Sequence, residues 1–125
     1  MPTQGYTNRQ APTAFSVDFG AWTDILATCP GTPVYEEGMS VNGGASLYLE
    51  VDAGNALDDI SLRALRRSDA DAAWSVFWTG TATTLTVFTE RIVGLGGFAD
   101  VRVQAQPEAL AAQVIRVSAK ISAHQ

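Results

Sequence analysis

The sequence predicts an all-β fold, an antiparallel β-sandwich of the jelly-roll kind built from about eight short strands. Three observations predict it. Apolar residues recur with a period of two in six separate stretches, glycine-centred turns separate those stretches, and only one short segment has the composition of a helix. With 125 residues, 46% of them hydrophobic, the chain has the size and apolar content of one domain around one core.

Residues 1–13 are polar, contain Pro2, Gly5 and Pro12, and follow neither a period of 2 nor one of 3.6. They are expected to form an extended N-terminal arm, with the sandwich occupying 14–125. Short strand candidates follow at Ala14 to Phe19, Asp24 to Thr28 and Pro33 to Glu36, the last two divided by the turn from Cys29 to Pro33. Leu47, Leu49 and Val51 then alternate with Tyr48, Glu50 and Asp52, giving a strand with one apolar face. Ile60, Leu62 and Ala64 alternate with Ser61 and Arg63 in the same way. Trp74, Val76 and Trp78 share a face, which reads as core packing of the two indoles. Leu85 with Val87 makes a shorter strand. Val101, Val103 and Ala105 alternate with Arg102 and Gln104, and Ile115, Val117, Ala119 and Ile121 close the pattern. The helical competitor is Pro107 to Gln113, about two turns at most, and it does not change the class.

Composition excludes several function classes. Eight basic against thirteen acidic residues give a net charge of −5, which argues against wrapping a nucleic-acid backbone. No apolar run is long enough for a membrane span, and the opening residues lack the pattern of a signal peptide, so a soluble protein is expected. Cys29 and His124 are the only cysteine and histidine, too few for a zinc site, and His124 is too close to the chain end to serve as a positioned base. Asp58 with Asp59, or Asp69 with Asp71, have the oxygen donors calcium takes, but turn chemistry selects the same residues. Gly94, Gly96 and Gly97 are followed by no lysine and form no phosphate loop. No catalytic residue, no metal ligand and no cofactor is therefore expected.

From Val41 to Ala123 the order of features resembles a small β-sandwich of tailed-bacteriophage virions. The resemblance rests on the run from Gly43 to Val51, the Ser68-Asp69-Ala70-Asp71-Ala72-Ala73-Trp74 hairpin, the Phe98-Ala99-Asp100-Val101-Arg102-Val103 strand and the closing Ile115 to Ala119. A departure is Ala70-Asp71, where the pattern has Asp-Gly. The resemblance implies a virion structural protein: a capsid cement or decoration protein on the exterior of the capsid, made in the host cytoplasm, which binds the major capsid protein or other virion subunits as a trimer or dimer. A tail or tail-fibre component is the alternative within that setting, and a carbohydrate-binding β-sandwich module is the alternative from another class. The candidate interface residues are Tyr6 and Arg9 on the arm, the freer aromatics Trp22 and Tyr48, and Glu36 and Glu37, whose charges protect an edge strand.

Overall fold

A computed structural model describes residues 6–26, 39–41, 43–54, 59–69, 71–83, 86–108 and 112–122. Among these, nine strands occur: β1 (Tyr6–Val17), β2 (Thr23–Asp24), β3 (Met39–Ser40), β4 (Ser46–Asp52), β5 (Ile60–Arg67), β6 (Ser75–Ala82), β7 (Val87–Val93), β8 (Asp100–Pro107) and β9 (Gln113–Ser122). One sheet has the order β1-β9-β4-β7 and the other β2-β8-β5-β6, with β3 in line with β2 along the free edge of β8. The antiparallel pairs nest from the outside in, β1 with β9, β2 with β8, β4 with β7 and β5 with β6. That nested ribbon is rolled until β9 also pairs β4 and β8 also pairs β5, which is the jelly-roll arrangement expected from the sequence.

Alternation places the core. Leu47, Leu49 and Val51 of β4 and Ile115, Val117, Ala119 and Ile121 of β9 point inward from one sheet. Ile60, Leu62 and Ala64 of β5 meet Val101, Val103 and Ala105 of β8 on the inner face of the other. Leu95 and Ala53, in connections, fill the ends of the same cluster. Hydrophobic burial between two such faces is the dominant stabilising term.

Three expectations are corrected. The strand β1 begins at Tyr6 and pairs with β9 from Tyr6↔Ser122 onward, so residues 6–13 belong to the sheet and not to an arm; residues 1–5 lie outside the described residues. The polar run conceals the strand because β1 is an edge strand. Its register shifts between Gln10 and Thr13, and this irregularity takes up Pro12, which a central ladder would reject. Gln10 is buried, and its amide donates to the carbonyls of Ile25 at 3.0 Å and Val117 at 3.3 Å, tying the two sheets together at this flank.

The second correction concerns Trp74, Val76 and Trp78. Ala64 faces Trp78 but Leu65 faces Val76, so Phe77 is an extra residue and the side chains before it change face. Trp78 packs against the core with Phe77, while Val76 turns outward and Trp74 lies outside the core cluster. Trp78 lies over Gly80, where a Cβ would stand 2.6 Å from its ring, and meets Phe88 at 5.9 Å between centroids. Arg66 closes the neighbouring end, its guanidinium against Phe77 and Phe98 and its Nη1 donating to the Gly94 carbonyl.

Third, the segment that competed as a short helix starts and finishes as strand, at Pro107 of β8 and Gln113 of β9; residues 109–111 lie outside the described residues. The candidate strand at 33–36 also lies outside them, as does Leu85.

Candidate functional site

Outward-facing side chains on the two sheets form two different surfaces. On β2-β8-β5-β6, residues from three strands join into one network. The Arg102 guanidinium donates two hydrogen bonds to the Asp24 carboxylate, each 2.7 Å long. The Gln104 amide also donates to Asp24, at 2.9 Å, and its oxygen accepts from Arg63 Nε at 2.7 Å. Arg63 in turn stacks on Trp22 at 4.2 Å. On the other side of Arg102, Trp74 lies under Arg102 at 5.2 Å and Arg67 at 4.5 Å, and Arg67 pairs with Asp100 at 2.7 Å.

Each guanidinium in this network therefore has a planar acceptor or amide and an aromatic face. Bidentate and stacked contacts of this kind match what arginine geometry favours, and they occupy the ring faces on which a sugar would stack. The surface works as a rigid cover over β8, cross-linking β2, β5 and β8, and Trp22 is part of that cover.

The opposite surface, on β1-β9-β4-β7, is a depression of about 510 Å³ lined by residues including Arg9, Pro12, Tyr48, Glu50, Arg91 and Lys120. Strand register aligns its side chains in rows. Arg9 pairs Lys120, Lys120 pairs Tyr48 and Tyr48 pairs Arg91, so one row crosses all four strands. The Lys120 ammonium leans over the Tyr48 ring, 5.5 Å from its centroid. The adjacent row runs from Ser118 through Glu50 to Thr89, with the Ser118 hydroxyl donating to Glu50 at 3.2 Å. Beyond it, Arg116 faces Asp52.

The candidate interface residues thus divide. Arg9 and Tyr48 come together in the depression, Trp22 lies on the other sheet, and Tyr6 faces Ser122 in the ladder. Glu36, Glu37, Cys29 and His124 lie outside the described residues. Lys120 and Arg91 were not among the residues singled out from the sequence. The signal for Lys120 was its outward place in the closing alternation, but only the register shows that it neighbours Tyr48. Asp69, weighed as a calcium ligand, accepts the Asp71 amide at 2.8 Å in an Asx turn, and Asp52 does the same for Gly54.

No protein family matches the chain, and no curated protein matches it. Among solved structures, the crystal structure of the Yersinia pseudotuberculosis-derived mitogen is similar over 94% of this chain and 89% of that one, with a TM-score of 0.58 and 14% sequence identity. At that identity the likeness establishes the fold.

Proposed function

We propose that this chain is a non-enzymatic structural protein of a bacteriophage virion, a capsid cement protein that assembles as a dimer or trimer on the outside of a shell of major capsid protein. The observation that carries the proposal is the flank made by β6 and β7. Each is the edge of its own sheet, eight and seven residues long, and the two are consecutive in the chain. Val76, Val87 and Val93 on this flank are 48%, 53% and 49% exposed. Long open edges carrying exposed valines are a hazard to a free monomer and an asset to a protein that works by association. The jelly roll is an architecture of viral capsid and lectin domains, an analogy of fold that fits the proposal without deciding it.

Light scattering on the purified chain tests the self-association, with a dimer or trimer expected. A co-sedimentation assay with shells assembled from a tailed-phage major capsid protein tests the attachment, with saturable, stoichiometric binding expected. A strict monomer that ignores such shells overturns the proposal and leaves a tail component or a carbohydrate-binding module.

A further inference from the structure

We infer that β6 is a homodimer contact, where a second copy of this chain pairs antiparallel across a two-fold axis at Gly80 and joins the two β2-β8-β5-β6 sheets into one. The inference deepens the self-association proposed above and rests on that part of the proposal, not on attachment to a capsid.

Among the described residues the sheet edges are β1 and β7 of one sheet, and β6 and the line of β2 and β3 of the other. All but β6 carry a device against further pairing. β1 has Arg9, Pro12 and two register shifts, β2 and β3 are two residues long, and β7 has Glu90 and Arg91 side by side. β6 is eight residues long and contains neither a charge nor a proline. Its irregularity at Phe77 lies toward one end, and from Trp78 to Ala82 it stays in unbroken register with β5. A bare, regular edge is where a further strand adds.

Two observations select a second copy as the added strand. A two-fold axis sets a strand against its own image, so charges near the axis meet like charges, and an uncharged strand escapes that cost. With the axis at Gly80, Gly80 faces its own image, Thr79 faces Thr81 on the outer side and Trp78 faces Ala82 on the inner. A glycine inside a strand often marks the close approach of another backbone, and Gly80 is the middle of the regular stretch. The second observation is where the core is left uncovered. The partly buried hydrophobics packed against it are Phe77, Trp78 and Phe88, all on β6 and β7. Phe88 reaches Gly80, 3.5 Å from where a Cβ would stand, so it comes to the same axis and meets its own image beneath the two indoles. Glu90 lies two residues further along β7, clear of the axis. A second copy therefore covers the rings with identical rings and sets no charge against them.

Light scattering over a dilution series, on the whole chain and on two variants, tests the contact. Thr79 and Thr81 are exposed and face outward beside Arg63 and Ser61, so lysines there are compatible with the fold of one copy, and a melt of the diluted variant checks it. In the dimer the new ammonium groups of one copy face those of the other. The double variant Thr79→Lys, Thr81→Lys should therefore raise the dimer dissociation constant about tenfold or more. Thr89→Lys, equally exposed but on β7, should leave it unchanged. A second measurement fixes the register: in a Cys29→Ser background, a short bis-maleimide should join Thr79→Cys chains to Thr81→Cys chains in a mixture more completely than it joins either to itself. A dimer indifferent to the β6 lysines, a dimer lost with Thr89→Lys instead, or no preference for the mixed cross-link overturns the inference and leaves self-association standing. A trimer does the same, since an isologous strand pair closes at two copies. A monomer that still binds shells overturns the dimer contact without touching capsid attachment, so the two failures are distinguishable.

Discussion

Gly80→Ala isolates the packing that closes the sandwich between β6 and β7. A Cβ at position 80 would stand 2.6 and 2.7 Å from Cη2 and Cζ2 of Trp78 and 3.5 Å from Cζ of Phe88. The far edge of an indole is rigid, so the ring must swing outward as a unit. Its tilted contact with Phe88 at 5.9 Å and part of its burial are then lost. Overpacking of this kind costs about 1–3 kcal/mol, and the usual gain from replacing a strand glycine by alanine offsets about 0.4–1 kcal/mol. The expected net loss is about 1–2 kcal/mol, read as a lower urea midpoint at unchanged slope. In a Trp22→Phe, Trp74→Phe background the remaining indole reports directly, and its emission should shift to longer wavelength. Adding Trp78→Phe removes the clashing atoms and should shrink the cost of Gly80→Ala. A Gly80→Ala protein as stable as its parent, with unshifted emission, refutes the reasoning.

Trp74→Ala should cost about 1 kcal/mol, because the ring lies outside the core under two arginines, whereas Leu47→Ala in the core should cost about 2–5 kcal/mol; chemical denaturation compares them. A double-mutant cycle on Asp24 and Arg102 should give a coupling of about 0.5–2 kcal/mol for a part-buried bidentate pair, and a value near zero would remove the cross-linking role given to that face. Gln10→Ala should lower stability by about 1–2 kcal/mol through the two carbonyls it leaves without its amide. Deleting residues 1–13 should be more damaging than Gln10→Ala in a thermal melt, since it also uncovers the edge of β9; an unchanged melting temperature would restore the arm first expected.

Period-two alternation made four strands and most of the core readable, because β4, β5, β8 and β9 each bury one face and wet the other. It failed where alternation was interrupted or absent. Phe77 inserts one residue and reverses the faces of Val76 and Trp74, which no local pattern announces. β1 presents polar side chains and a proline, and its inward residue at position 10 is a glutamine satisfied by carbonyls far away in the chain. The sites were less legible for a related reason. Trp22, Arg63, Asp24 and Arg102 become one network only through the pairing of β2 and β5 with β8, and the cationic row needs three registers at once. Side-chain type and orientation are local properties, while neighbourhood across a sheet is not.

The nested pairing also imposes an order of events on a chain made from its N-terminus. The hairpin of β5 and β6 can close early, but β1 finds its partner last, since Gln10 and Val117 are 107 residues apart. At about 5–20 residues per second of synthesis, β1 waits on the order of 5–20 s at the ribosome with its backbone unpaired. A hydrophobic strand kept waiting so long would be a site for aggregation. Thr7, Asn8, Arg9, Gln10, Pro12 and Thr13 are a composition that stays dissolved through the delay. The polarity that disguises β1 as an arm is thus what a strand needs when it is the first to be translated and the last to be paired.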